Sequence, residues 1–235
     1  YAVSVLAECG TEMSSVAEVN MHAPTAVTVQ PEDKEITYGE DINFSVEATG
    51  TGDLTYRWQA IDGNNWTNIG EENIFNGTNT TLLSLTKPSA AISGTMFKCV
   101  VTGFCGDAVS NEVNLIVKKA PVTITASDNT RIYGDENPEF LYTHAGLVNG
   151  EDWENSGIQG TPLLVTPAVP GSVVGEYDIV PETGSLVSAN YNFEFVKGKL
   201  TVEQAPLTVT AVKTVRYYGD PNPDFSVEYN GLKNN

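Results

Sequence analysis

The sequence predicts an all-β protein, and three observations support that prediction. Val, Thr, Tyr, Asn and Gly are abundant among the 235 residues, together with 12 Pro, and this composition favours strands and turns over helices. Apolar and polar residues alternate in short runs such as INFSVEA and MFKCVVTG, the pattern of half-buried strands. The third observation is an internal repeat, which predicts domains arranged in series along the chain.

The clearest repeat lies in the second half of the chain. The segment KAPVTITASDNTRIYGDENPEF begins at Lys119 and aligns without a gap with QAPLTVTAVKTVRYYGDPNPDF, which begins at Gln204, an offset of 85 residues. The identical pairs include Arg131 and Arg216, Tyr133 and Tyr218, Gly134 and Gly219, Asp135 and Asp220, Asn137 and Asn222, Pro138 and Pro223, and Phe140 and Phe225. We therefore predict one full unit at 120–204 and the beginning of a second at 205–235.

A fainter duplication involves the first half. The Cys-Gly pairs at Cys9 and Cys105 anchor it, and both copies end in Ala-Pro. Residues 1–22 are therefore predicted to be the last strands of a truncated domain whose full sibling occupies 23–119. An Ala-Pro pair follows each predicted boundary, and its proline favours an extended, stiff junction. We expect the chain to be a fragment of a longer protein.

Residues 23–119 contain several alternating runs separated by turn-rich segments, which predicts a two-sheet sandwich. Trp58 lies in mid-strand twelve residues after Val46, and Phe97 and Cys99 share a later strand. This spacing resembles the immunoglobulin-like domain. Val46 takes the position of the family's first core Cys and Phe97 that of its corner Tyr. The resemblance therefore implies a core without the inter-sheet disulfide and without the corner hydrogen bond.

The three cysteines show no C-x-x-C spacing, which excludes the usual zinc and redox motifs. Six residues of straight strand span about 20 Å, whereas a disulfide needs Cα atoms about 4.4–6.8 Å apart. Cys99 and Cys105 can therefore pair only if the chain turns between them, and Gly103 makes a turn feasible. The upstream copy has Val3 opposite Cys99 but keeps Cys9. The sequence leaves this disulfide open.

Alternating runs in the first full repeat predict strands at 122–126, 130–133, 140–144, 163–166, 176–180, 191–196 and 199–203, with a short helical turn at Glu151–Asn155. Gly134 and Gly219 are expected to take positive φ. Asp135 and Asn137 suit Asx-type turn hydrogen bonds. Tyr191 and Phe193 alternate onto one face, as packing residues do.

Four motifs of this repeat form a specific set: Tyr-Gly-Asp-x-Asn-Pro at 133–138, Gly-Leu-Val-Asn-Gly-Glu-Asp at 146–152, Gly-Glu-Tyr at 175–177 and Ser-Ala-Asn-Tyr-Asn-Phe at 188–193. Together they resemble the bacterial MBG repeat of YGX type, and the resemblance covers 120–235. It implies a mostly-β, β-grasp-like unit in large secreted and surface proteins, often of Bacteroidota. Immunoglobulin-like neighbours are common there, and no enzymatic activity is implied.

Charge and hydropathy exclude two classes of partner. The chain has 12 basic and 30 acidic side chains, a net charge of −18, whereas phosphate binding needs clustered Lys and Arg. No apolar run approaches the roughly 20 residues of a membrane span. We therefore predict no nucleic-acid partner and no membrane insertion within the chain.

The candidate site residues each have a structural alternative. The acidic turns Gly134–Asn137 and Glu151–Asp152 could bind calcium through hard oxygens or be ordinary solvated turns. Glu151, Asp152 and Glu154 could include a glycosidase carboxylate pair, but small repeated units seldom carry a deep cleft. His22 and His144 stand alone, so each is expected to be structural or solvent-facing. We predict no catalytic, cofactor-binding or metal-binding residue, with structural calcium as the alternative.

Two tryptophans and three sequons complete the candidates. Trp66 and Trp153 could stack on sugar rings, although packing in a core or at a domain junction is the favoured interpretation. Asn65, Asn76 and Asn79 fit the glycosylation sequon, which has little meaning in a bacterial protein.

These observations favour a non-catalytic spacer and adhesion module of a large secreted or cell-surface protein, located outside the cell. Its partner would be an unidentified extracellular ligand, either a glycan or a protein of the host or the environment. One alternative is a carbohydrate- or glycoprotein-binding module in which 23–119 binds through its loops. Another is an accessory region of a large secreted hydrolase.

Overall fold

The computed structural model describes residues 2, 4–7 and 9–233. The described residues form 22 strands, numbered β1 to β22 below, and one 3-10 helix at Ala90–Ile92. The fold is all-β, as the sequence predicts. The chain divides into two compact units, Tyr1–Lys118 and Lys119–Asn235. The finer division into 1–22, 23–119, 120–204 and 205–235 stays a prediction.

The first unit begins with a hairpin of β1 (Ser4–Ala7) and β2 (Gly10–Met13). Its other strands are β3 (Ala26–Val29), β4 (Lys34–Thr37), β5 (Ile42–Ser45), β6 (Glu47–Thr49), β7 (Thr55–Asp62), β8 (Asn65–Asn68), β9 (Phe75–Asn76), β10 (Leu82–Leu85), β11 (Thr95–Gly103), β12 (Gly106–Val109) and β13 (Val113–Lys118). One sheet has the order β5-β10-β9, and the other has the order β4-β13-β11-β7-β8 with β12 also paired to β11. Strands β3 and β6 form a separate pair. This arrangement is the immunoglobulin-like sandwich that the sequence predicts.

Aromatic side chains fill the core between these sheets. Trp58 and Phe97 are fully buried, and the Phe44 ring lies 5.3 Å from the Phe97 ring and 6.4 Å from the Trp58 ring. The indole N–H of Trp58 donates to the Thr80 carbonyl at 3.0 Å, so this polar atom is satisfied inside the core. Val46 is also buried. The sandwich thus packs at the positions that the family's disulfide and corner Tyr usually fill.

All three cysteines, which lie in the described part of the chain, are free. Cys99 lies on β11 and is buried, whereas Cys105 is exposed in the two-residue turn between Gly103 and Gly106. The chain therefore does turn near Gly103, but Cys105 lies at the tip of the turn and does not pair with Cys99. Burial raises the pKa of the Cys99 thiol to about 11, so this thiol stays protonated and unreactive at neutral pH.

The second unit contains β14 (Ala120–Ala126), β15 (Asn129–Ile132), β16 (Tyr142–Ala145), β17 (Leu163–Val165), β18 (Gly175–Glu182), β19 (Tyr191–Val196), β20 (Gly198–Glu203), β21 (Thr208–Ala211) and β22 (Val227–Asn230). The predicted β-grasp-like repeat consists of two mixed sheets, with orders β16-β14-β19 and β15-β20-β18-β17. The pairs β14–β19 and β15–β20 are parallel. Ala126, Ala168, Ile179 and Leu200 form a buried core cluster.

One strand of this unit begins later than predicted. The strand expected to begin at Phe140 begins at Tyr142, and Phe140 instead packs against the core cluster. The short helical turn expected at 151–155 is present as a single turn, in which the Ser156 N–H donates to the Asp152 carbonyl at 3.0 Å. Tyr191 is buried and Phe193 half-buried on one face of β19, as predicted.

Strands β21 and β22 reproduce the pairing of β14 and β16. Thr123 pairs with Ala145 in the first copy, and Thr208 pairs with Asn230 in the second. Both members of the pair are shifted by the offset of the sequence repeat, 85 residues. The two sequence copies therefore fold in the same register where both are present.

Candidate functional site

The Arg-x-Tyr-Gly-Asp-x-Asn motif of the first copy forms a polar network beneath a tight turn. The buried Arg131 guanidinium donates through Nε to Asn137 Oδ1 at 2.8 Å and through Nη2 to the Val169 carbonyl at 2.5 Å. Asn137 Nδ2 donates to the Ala168 carbonyl at 2.7 Å. The expected Asx-type role of Asn137 is therefore wrong, because its amide bridges Arg131 to a segment 31 residues further along the chain.

The turn itself follows the prediction at its glycine. Gly134 has φ of 89° and Gly219 has φ of 94°, values that residues with a Cβ rarely adopt. The Asp135 N–H donates to the Ile132 carbonyl at 3.1 Å. The Asp135 carboxylate accepts a hydrogen bond from Lys233 Nζ at 2.8 Å, so it takes part in an ion pair.

The second acidic segment, Glu151–Asp152, is hydrogen-bonded to β19. The Tyr191 hydroxyl donates to Glu151 Oε2 at 2.6 Å and accepts from the Val148 N–H at 3.1 Å. Asp152 Oδ1 accepts from the N–H groups of Glu154 and Asn155 at 3.1 and 2.9 Å. Glu151 and Asp152 therefore have structural partners, while Glu154 is exposed. Within the described ranges, no three His, Cys, Asp or Glu side chains lie close enough together to hold a metal ion.

The candidate sugar-stacking tryptophans lie in different surroundings. The half-buried Trp153 ring lies 4.6 Å from the ring of the exposed His144 and 6.2 Å from the Tyr142 ring. Trp66 is half-buried and has Lys98 Nζ 4.1 Å from its ring centroid. Lys98 therefore covers one face of Trp66 in a cation–π contact, whereas the neighbours of Trp153 are aromatic rings.

The remaining candidates lie on the surface. His22 is exposed, and its ring lies 4.5 Å from that of Phe104. The sequon residues Asn65, Asn76 and Asn79 are exposed as well. No helix among the described residues has the length and apolar character of a membrane span.

One polar cluster of the first unit is absent from the sequence prediction. The Glu71 carboxylate accepts from the Thr78 N–H at 2.6 Å, the Thr78 hydroxyl at 2.9 Å and the Gly77 N–H at 2.9 Å. The Thr78 hydroxyl is the main cause that lowers the pKa of Glu71. Thr78 is fully buried, and its carbonyl accepts from the backbone N–H of Trp58 at 2.9 Å. The only sequence signal was the Asn-Gly turn that precedes Thr78, and it does not point to Glu71.

Comparison with known proteins supports part of this description. Residues 122–201 match the family model described as MBG domain (YGX type), which confirms the resemblance over that segment. Endoglucanase C of Cellulomonas fimi is 35% identical over 104 residues, which are 43% of this chain and 9% of the endoglucanase. The chain thus matches less than a tenth of that relative's length.

Solved structures that match parts of this chain include titin domains and the Ig domains of Dscam1. A chimeric titin Z1Z2 carrying a decorin peptide has 21% identity and a TM-score of 0.35, and covers 42% of this chain and 98% of its own. Titin domain M7 has 20% identity and a TM-score of 0.36, covering 43% and 99%. The N-terminal four Ig domains of Dscam1 isoform 6.9 have 14% identity and a TM-score of 0.41, covering 83% and 51%.

Proposed function

We propose that this chain is a non-catalytic, load-bearing spacer and adhesion module of a large secreted or cell-surface bacterial protein of Bacteroidota type. The observation that carries this proposal is the parallel pairing between early and late strands, both in the sandwich of the first unit and in the first repeat copy of the second. When two neighbouring parallel strands are pulled in opposite directions, one from its start and the other from its end, they are forced to slide past each other. Their hydrogen bonds then resist together instead of breaking one after another.

In the first unit this pairing is between β4 and β13. The register runs from Lys34 opposite Leu115 to Thr37 opposite Lys118. The Tyr38 N–H extends the contact by donating to the Lys118 carbonyl at 2.8 Å. Force that enters before β4 and leaves after β13 therefore loads these bonds in shear.

The second unit repeats the arrangement with β15 and β20. Their register runs from Asn129 opposite Leu200 to Ile132 opposite Glu203, and the Tyr133 N–H adds a bond to the Glu203 carbonyl at 2.8 Å. Strand β14, at which the unit begins, is also parallel to its neighbour β19. Two parallel ladders therefore connect the start of this repeat to its end.

The polar residues of the MBG motifs support a structural role. Arg131, Asn137, Glu151 and Tyr191 hydrogen-bond within the repeat. They hold its segments together, as a domain that must keep its shape under load requires. The net charge of −18 suits an exposed, self-repelling polymer outside the cell.

Single-molecule force spectroscopy tests this proposal on the full chain, with non-cysteine handles because Cys9 and Cys105 are exposed. In one geometry the handles are at the two ends of the chain. In the control geometry they are at Leu163 and Glu182, which face each other across the antiparallel β17–β18 pair. The control loads hydrogen bonds one after another, so we expect the second unit to yield at a lower force. Forced unfolding reports the unfolding rate along the pulled direction, and an end-to-end force equal to or below the control would refute the load-bearing role.

A second candidate function, an accessory region of a secreted glycan hydrolase, is favoured by the similarity to an endoglucanase. The Tyr142–His144–Trp153 cluster supplies an aromatic surface on which a sugar ring could stack. Affinity electrophoresis in gels containing soluble β-glucan would test it, with Trp153→Ala compared with Trp66→Ala. Retardation that only Trp153→Ala abolishes would favour this function, and no retardation of the parent chain would reject it.

A further inference from the structure

The Tyr-Gly-Asp turn of the first repeat copy contacts the second copy directly. Lys233 Nζ lies 2.8 Å from Asp135 Oδ1. A Cβ added at Gly134 would lie 2.5 Å from Lys233 Cβ and 2.8 Å from Lys233 Cγ. The missing side chain of Gly134 therefore makes room for the stem of Lys233, in addition to allowing the positive φ.

An open, mostly apolar groove of about 320 Å³ lies beside this contact. Tyr133 and Val174 line it from the first copy, and Leu207 and Leu232 line it from the second. The two copies thus meet through a charged contact at the turn and an apolar surface next to it. The connection between them, Ala205-Pro206, is short, which keeps the local concentration of the two surfaces high.

Both contacting surfaces occur in each copy. The Asp220 N–H donates to the Tyr217 carbonyl at 3.2 Å, as the Asp135 N–H does to Ile132 at 3.1 Å. The Gly-Leu-x segment keeps its backbone conformation, since Gly146 has φ of 104° and Gly231 has φ of 103°, but its third residue is Val148 in the first copy and Lys233 in the second. A Cβ on these glycines would meet the Pro121 and Pro206 carbonyl oxygens, respectively. Surfaces already formed lose little conformational entropy when they dock.

We propose that the Tyr-Gly-Asp turn is an inter-repeat docking surface, and that its partner is the Gly-Leu-x segment of the following unit of the same repeat. In this chain Tyr133–Asp135 receives Gly231–Lys233. This docking fixes the angle between neighbouring repeats, and it does not depend on the load-bearing role.

Hydrogen exchange of the β21–β22 hairpin tests the docking in the full chain. A two-stranded hairpin is marginal by itself in water, so protection of the amides at 208–211 and 227–230 reports contact with the first copy. Gly134→Val places a side chain against Lys233 and also strains the turn, because Gly134 has φ of 89°. We expect these amides to exchange at least about tenfold faster, and the backbone strain is the same with and without Lys233. The amides of β18 and β20 serve as the internal control for folding of the first copy. In a Lys233→Gly background the opposing side chain is gone, and Gly134→Val should add little.

The matched pair Asp135→Asn and Asp220→Asn tests the charged part without altering backbone geometry. Both aspartates occupy the same position of the same turn, but only Asp135 contacts Lys233. We expect faster hairpin exchange for Asp135→Asn and exchange within about twofold of the parent for Asp220→Asn. Equal effects of the two substitutions would overturn the proposal. So would a Gly134→Val effect that is absent, or that is equally large in the Lys233→Gly background.

Discussion

A single repeated residue, the arginine of the Tyr-Gly-Asp motif, has two different surroundings in this chain. Arg131 is buried and donates to Asn137 and to backbone carbonyls. Its copy Arg216, for which the 235 residues contain no counterparts of Ala168 and Val169, is exposed and donates to the Asp220 carbonyl at 2.7 Å. A buried cation is tolerated when hydrogen bonds satisfy it. The hydrogen bonds around Arg131 therefore offset the cost of burying its charge in the first copy.

Replacing this arginine by lysine is expected to lower stability in the first copy far more than in the second. Lysine keeps the charge but lacks the planar, multi-donor guanidinium. Arg131→Lys should lower the free energy of unfolding of the second unit by about 2–3 kcal/mol, because bonds from a charged donor are lost in a buried place. Arg216→Lys should change it by about 0.5 kcal/mol or less. Urea unfolding followed by NMR measures both, and equal losses would contradict the network's role.

The Glu71 carboxylate gives the first unit a pH dependence. Its hydrogen bonds, led by that of the Thr78 hydroxyl, hold the pKa of Glu71 below its ordinary value of 4.5. A carboxylate with a lower pKa in the folded state binds protons less readily there than in the unfolded chain. Its stabilisation is therefore complete above the unfolded pKa and is lost as pH falls from 4.5 through the lowered folded value.

Glu71→Gln is expected to remove this contribution. At neutral pH the variant should melt below the parent, and the difference should shrink as pH falls below 4.5. Glu72→Gln is the matched control, since it removes the same charge one residue away and its carboxylate makes none of the Glu71 contacts. Thermal melts of the first unit over this pH range decide the matter. A constant difference at every pH would show that the pKa of Glu71 is not coupled to folding.

At the scale of strands, the alternation of apolar residues predicts position well. The strand expected at 191–196 has those bounds, and the one expected at 122–126 is β14, two residues longer at its start. The pattern works because burial of one face imposes a period of two. The short strands β8, β9 and β12 were not predicted, since turns or too few residues interrupt their alternation.

Contacts between distant segments could not be predicted from one sequence. Tyr191 was expected to pack on one face of its strand, but its hydroxyl's partner Glu151 lies 40 residues earlier, and no local pattern connects them. Asn is a residue type common in turns, yet the side-chain amide of Asn137 hydrogen-bonds to Arg131 and to the Ala168 carbonyl. Such contacts depend on which strands pair, and the chain's periodicity does not encode strand pairing.

The Tyr191 hydroxyl connects β19 to the 146–152 segment by two hydrogen bonds, and their contribution to stability can be measured. Tyr191→Phe leaves the Glu151 carboxylate and the Val148 N–H without this partner. We expect a loss of about 1–3 kcal/mol in the stability of the second unit, with faster amide exchange at Val148. Tyr177→Phe is the control, because its hydroxyl donates to the Val173 carbonyl in an exposed place. A smaller loss of stability for Tyr191→Phe than for Tyr177→Phe would argue against a stabilising role of these hydrogen bonds.

The whole molecule combines two units with separate cores. The first is centred on Trp58, Phe44 and Phe97, and the second on Ile179 and Leu200 with their neighbours. Each unit also completes its own sheets. Units with their own cores generally fold as units, so cooperativity should follow the division at Lys118 and Lys119.

Two unfolding transitions are therefore expected when the full chain is titrated with urea and followed residue by residue. Glu71→Gln should move only the transition of the first unit, and Arg131→Lys only that of the second. In the double variant the two effects should add, because the sites share no partners. A parent chain that unfolds in a single transition, shifted as a whole by either substitution, would show instead that the units fold as one cooperative body. The chain would then respond to load through both units at once, and the parallel ladders of the two units would not act as separate mechanical elements.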